Sequence, residues 1–209
     1  MRAYVEVNPD DRRDISARAW SFDLAHWGIS ASAGTPSAAL ELLQRSTAAP
    51  DLELRELIEG RALAFSRDLE PATPGERAAT LTILERARAR TLELVAAATD
   101  DQLTRPAEWA PHIDARGFES ARSLVLSYVD AESREYPAAL GLPGRPEEES
   151  LLDELEASHE HAMRMVAALP EVLITATAEG DEWTAVKVLR LLAWRERAHA
   201  ELLEQLLTQ

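Results

Sequence analysis

Hydrophobic and polar positions alternate along this chain with two different periods. Over residues 3–7 and 15–24 they switch at nearly every position, with Trp20, Phe22 and Leu24 set against Ala17, Ala19, Ser21 and Asp23. That period of two, joined across the turn signal Asn8-Pro9-Asp10-Asp11, predicts a β-hairpin. A short strand over 29–33 follows. Gly34-Thr35-Pro36-Ser37 then reads as a helix start, because the Thr35 hydroxyl can accept from a free first-turn N–H and Pro36 gives up no hydrogen bond at the first helical position. The helix is expected over 37–46. Residues 51–60, with Leu52, Leu54, Leu57 and Ile58 spaced among Glu and Arg, read as a strand. The order is βββαβ.

After Pro71-Ala72-Thr73-Pro74-Gly75 the period lengthens to that of a helix, over 80–98, 118–136, 147–169 and 183–206. Four long helices with short connections predict a four-helix bundle. The expected fold is therefore α+β in two domains: a small β-rich domain over 1–70 and a four-helix bundle over 76–209. The connection 102–117, which holds Trp109 and His112, is expected to cap an end of the bundle. In the last helix, steps of four and three pick out Val188, Leu192, Arg195, His199, Leu202 and Leu206, so a cation and an imidazole fall on an apolar seam. Asp181 and Glu182 precede it, suiting the positive end of a helix dipole. In the third helix Leu152, Leu155, His159, Ala162, Val166 and Leu169 form a similar stripe.

Composition narrows the chemistry. With 37 acidic and 22 basic residues, a net charge of −15 and no basic patch, the chain repels phosphate backbones and anionic bilayers, so neither nucleic acid nor membrane is an expected partner. There is no cysteine, which removes disulfides, thiolate ligands and a cysteine nucleophile together. No run has the length of a signal peptide core or a membrane span, and a cytoplasmic location is expected. Hydrolase elbows, phosphate-binding glycine loops and H-E-x-x-H are missing from the sequence. His159-Glu160-His161 has the wrong spacing for two ligands on one helix face, since residues two apart diverge.

Two stretches resemble known families. Trp27-Gly28-Ile29, Gly34-Thr35-Pro36 and Ala38-Ala39-Leu40 resemble the small domain of HicB-like proteins, which implies a protein-interaction or dimerising module. Trp183-Thr184, Val188-Leu189-Arg190 and Trp194-Arg195-Glu196-Arg197-Ala198-His199 resemble the last helix of the DinB superfamily. Thr91-Leu92-Glu93-Leu94-Val95, Asp101-Gln102-Leu103 and Leu126-Ser127-Tyr128-Val129-Asp130-Ala131-Glu132 are similar to its earlier helices. That resemblance implies a four-helix protein in which a divalent metal is held by one histidine on the second helix and two, four apart, on the last.

Carried over residue by residue, those ligand positions are Ser127, Arg195 and His199. Only His199 is a ligand type. Arg195 stays protonated and would repel a divalent cation, so a metal such as Zn or Ni would require His159 and His199, with carboxylates such as Glu132, to rebuild the site. The expectation is accordingly no cofactor. A buried Arg195 needs an acid, for which Glu132, Asp130, Glu135, Glu85 and Glu93 are the candidates. The alternative use of Ser127, Glu132, His159, Arg195 and His199 is a pocket for a small anionic ligand. The functional expectation is a non-catalytic binding or interaction protein with a degenerate metal site, against a DinB-type metal-dependent hydrolase or thiol-dependent transferase. Exposed strand edges or a flat apolar face within 1–65 would favour a homodimer.

Overall fold

A computed structural model describes residues 1–8, 16–60, 64–107, 118–177 and 180–208. The protein is α+β, with a sheet near the amino terminus and helices following it. Its contacts divide it into two units: residues 1–80 with 169–194, and residues 81–168 with 195–209. The sequence boundary at 71–75 lies inside the first unit, where Pro74 opens a helix.

The first unit is built on strands β1 (Arg2–Val7), β2 (Ala17–Ser21), β3 (Ser30–Ala33) and β4 (Glu53–Glu59), in the order β3-β2-β1-β4. β1 pairs antiparallel with β2, so that Tyr4 faces Trp20. β4 lies parallel to β1. A parallel neighbour requires a crossover, and helix α1 (Pro36–Thr47) supplies it. Thr35 caps α1 as its sequence predicts, its Oγ1 accepting from Ala38 N at 3.2 Å. The turn residues Pro9, Asp10 and Asp11 lie outside the described residues, as do Trp109 and His112.

Alternation gives the sheet two unlike faces. Ala3, Val5, Ala17 and Ala19 are small and fully buried against Ala39 and Leu43 of α1, which lets the helix sit close. Tyr4 and Trp20 point the other way and pack with Phe65, joined by Phe22, Ile58, Leu191 and Trp194. Arg190, 2% exposed, lies in this aromatic layer with its guanidinium carbon 4.3 Å from the centroid of Trp20, and it donates to Asp68 Oδ2 at 2.9 Å. An unpaired guanidinium could not be held there, whereas a paired and stacked one can.

Strands β5 (Ile174–Ala176) and β6 (Glu182–Thr184), which hydrophobic periodicity did not suggest, pair antiparallel. They take Trp183 and Thr184 out of the expected last helix. That helix starts at Ala185, with Thr184 Oγ1 accepting from Lys187 N at 3.0 Å in the manner of a cap.

The second unit is helical. It takes in residues 81 onward of α2 (Pro74–Ala97), short α3 (Asp100–Thr104), α4 (Ala121–Asp130), α5 (Tyr136–Ala139), α6 (Leu151–Ala168) and residues 195 onward of α7 (Ala185–Leu207). Val95, Leu103, Leu124, Val125, Val129, Leu155, Leu203 and Leu206 share one core. A π-helical turn, Ala131–Glu135, joins α4 to α5. Pro137 explains its position: it has no N–H to give the Ser133 carbonyl, which instead accepts from Arg145 N at 3.2 Å. The widened turn buries three consecutive residues, Ala131, Glu132 and Ser133, each 0% exposed.

Candidate polar site in the helical unit

Three stripes bring polar side chains to one place. In α2, steps of four, three and four give Leu84, Arg88, Thr91 and Val95, all 4% exposed or less. α4 and the π turn contribute Tyr128 and Glu132. In α7 the buried register runs through Glu196, His199, Leu203 and Leu206. Arg88, Glu132 and Glu196 meet where these stripes cross.

Arg88 is the hub. Its Nε donates to Glu196 Oε1 at 3.0 Å, one terminal nitrogen donates to Glu132 Oε2 at 2.6 Å and also to Glu196, and the other donates to the Leu155 carbonyl. Its guanidinium carbon lies 5.4 Å from the centroid of Tyr128, whose ring in turn stacks on His199 at 5.1 Å. Phe118 meets His199 edge-on at 6.1 Å. Four helical segments are thus fastened through one cation.

The charges do not balance: one guanidinium faces two carboxylates, and the three residues are each 1% exposed or less. Burial, and then the charge of Glu196, push the Glu132 carboxyl well above the usual carboxylate range. Burial raises Glu196 as well. Between them the two acids hold on to a proton. Burial also drives the Tyr128 hydroxyl upward, keeping it neutral. His199 is pulled down to about 3, by burial first and then by Arg195, so its imidazole is uncharged.

The five residues singled out by sequence are only partly brought together. Glu132 and His199 belong to this centre. Among the described residues no acid pairs with Arg195: it is half-buried, its guanidinium carbon 5.4 Å from the centroid of Tyr136. The ion pair expected of Arg195 is made by Arg88, because α7 turns Glu196 inward instead. His159 is half-buried on α6, held below its usual range by burial and then by Arg88. Ser127 is half-buried on α4, and its neighbour Tyr128 takes the interior position.

Arg88 and Glu196 escaped the sequence reading. The signal for Arg88 was the stripe through Leu84, Thr91 and Val95. For Glu196 it was a second register of fours and threes, Ala185, Leu189, Leu192, Glu196, His199, Leu203 and Leu206, which fits α7 as regularly as the one through Arg195. The same shift by one residue occurs in α6, where Ser158 is fully buried, with its hydroxyl 2.9 Å from Ser133, in place of His159.

A second buried acid sits apart from this centre. Glu154, 1% exposed, accepts from both terminal nitrogens of Arg145 at 2.8 and 2.7 Å, from Arg134 at 2.8 Å and from Glu148 N at 2.8 Å. Burial alone would raise its carboxyl, but these donors outweigh it and bring the group down to about 2.

Fold and site together define an α+β protein whose helical unit is centred on a buried arginine–glutamate cluster. Among the described residues, no three His, Asp or Glu side chains are placed to hold a metal ion, and no helix is long and apolar enough to cross a membrane. Comparison with protein-family models, curated proteins and solved structures finds no significant match, so neither the DinB-like nor the HicB-like resemblance gains support from it.

Proposed function

We propose that this is a non-catalytic binding protein of DinB-like type, a four-helix bundle in which a side-chain cation has taken over the interior role of a metal. The observation that carries the reading is the Arg88 guanidinium, fully buried and bonded to Glu132 and Glu196. Those carboxylates are the strongest metal donors in the centre, and a permanently protonated group already neutralises one of them. A divalent cation would have to settle beside that charge, with Arg195 as a second positive group near Glu132. The centre therefore ties helices together and leaves binding to the surface. A small anion would find its donors at the half-buried guanidinium of Arg195, whose Nε has no acceptor among the described residues.

Elemental analysis and titration of the purified protein with Zn, Ni and Mn test the reading. The expected result is no stoichiometric metal and no change in unfolding temperature on adding any of them. One tightly held metal per chain that disappears in His199→Ala would overturn it, in favour of a DinB-type metal-dependent hydrolase or thiol-dependent transferase.

A further inference from the structure

Strand β4 lies at the end of the sheet order, and two of its leucines are open to solvent: Leu54 is 43% and Leu57 is 51% exposed. Helix α1 packs over β3, β2 and β1. A seven-residue edge strand with exposed apolar side chains is a template for another strand.

An irregularity in β4 makes this edge complementary to itself. Ala3 pairs with Leu54 and Tyr4 with Glu56, so Arg55 is an extra residue, a β-bulge. In a regular strand, residues three apart lie on opposite faces. Across the bulge Leu54 and Leu57 lie on the same face, opposite Ala3 and Val5, while Glu56 falls on the Tyr4 face. Arg55 joins it there, donating to Oε1 of Glu53, two residues back on that face, at 3.4 Å.

The backbone repeats the pattern. Glu53 N–H donates inward to the Met1 carbonyl and Gly60 N–H inward to that of Val7. Alternation from these two anchors turns the N–H and C=O of both Leu54 and Leu57 outward. Two copies of β4 can therefore run antiparallel with Leu54 opposite the partner's Leu57 and Leu57 opposite the partner's Leu54. Each such pair exchanges two backbone hydrogen bonds. In the same register Arg55 stands opposite the partner's Glu56, and Glu56 opposite the partner's Arg55. Glu56 is already oriented, accepting from Ser66 N at 2.9 Å. Registers one residue to either side set Arg55 against the partner's Arg55 or Glu56 against the partner's Glu56, which opposed like charges disfavour.

We propose that the protein self-associates through β4, two sheets joining edge to edge into one of eight strands. The occupant is a second copy of this chain, selected by the match of leucine to leucine and arginine to glutamate. The proposal does not depend on the reading of the helical core.

Sedimentation velocity of the full chain over a range of concentrations tests it, with Arg55→Glu and Glu56→Arg compared alone and mixed. The wild type should dimerise. Each variant alone places two like-charged pairs across the axis and should dimerise roughly tenfold more weakly or worse. An equimolar mixture of the two restores both opposite-charge pairs and should recover the dimer, which a misfolded variant could not do. A monomeric wild type, single variants that dimerise like the wild type, or a mixture that stays monomeric would each overturn the proposal. Hydrogen exchange of the wild type gives a check free of substitutions: the Leu54 and Leu57 amides should be protected at high concentration and exchange on dilution, and protection independent of concentration would count against the interface.

Discussion

Glu196, and not its neighbour Arg195, is the residue of the last helix that meets Arg88, through a 3.0 Å bond from Nε and a second from the terminal nitrogen it shares with Glu132. One residue step, 100° around a helix, decides whether the interior receives a cation or an anion from α7. Because it receives an anion, the cation comes from α2, and the centre becomes a cross-link among helices far apart in sequence.

Removing that cation should be costly. Arg88→Met would leave Glu132 and Glu196 buried together without a counter-charge and should lower stability to chemical denaturation at neutral pH by about 3–5 kcal/mol. The remaining carboxyls would have folded pKa values above their unfolded ones, so they bind protons more readily in the folded state. Stability of the variant should therefore rise as pH falls toward the unfolded carboxylate range. Adding Glu132→Gln and Glu196→Gln should restore most of the loss. An Arg88→Met protein with the wild-type midpoint would show that the cluster carries no net stabilisation.

Glu154 sets an opposite dependence. Its folded carboxyl is held down to about 2 by Arg145, Arg134 and the Glu148 N–H against the effect of burial, whereas the unfolded group titrates at about 4.3. The contribution is present above the unfolded value and is lost as pH falls through that range toward the folded one. Urea midpoints of the wild type and Glu154→Gln should differ at neutral pH and converge as the solution is acidified from about pH 5 to about pH 2. A gap that stays constant over this interval would mean the ion pairs do not stabilise the fold.

Gly28 separates backbone conformation from crowding. It has a φ of +76°, and a Cβ there would come within 2.8 Å of the Ala193 backbone carbon and Cβ, whereas at Gly60, with a φ of +73°, no atom of the described residues lies within 4 Å of the added carbon. Both substitutions to alanine pay about 1–2 kcal/mol for the left-handed conformation. Gly28→Ala should cost about 1–3 kcal/mol more, because the neighbour it meets is packed backbone. Thermal unfolding of the two variants measures the difference, and equal losses would rule out the close approach.

Much of the fold was legible because it rests on local rules. The period of two over 3–7 made β1 and that over 15–24 made β2, though only across Ala17–Ser21, since Leu24 opens a 3-10 turn; Thr35 and Pro36 began α1 where capping chemistry required; the longer period after residue 80 made helices. Other features depend on partners distant in sequence. Trp183 and Thr184 look helical by pattern and are held as strand by pairing with Thr175 and Ile174. The turn at Ala131–Glu135 widens because Pro137 cannot donate, and that turn places Glu132 inside.

The centre itself shows the limit most clearly. The sequence alone determines that α7 is amphipathic and that polar residues interrupt its apolar seam. It does not choose between the register through Arg195 and the one through Glu196, since both step by fours and threes and share Leu192, His199 and Leu206. Tertiary packing makes the choice, because a charge enters a core only where an opposite charge already waits. Arg88 on α2 waits for Glu196, while Arg195 stays at the half-buried margin beside Tyr136.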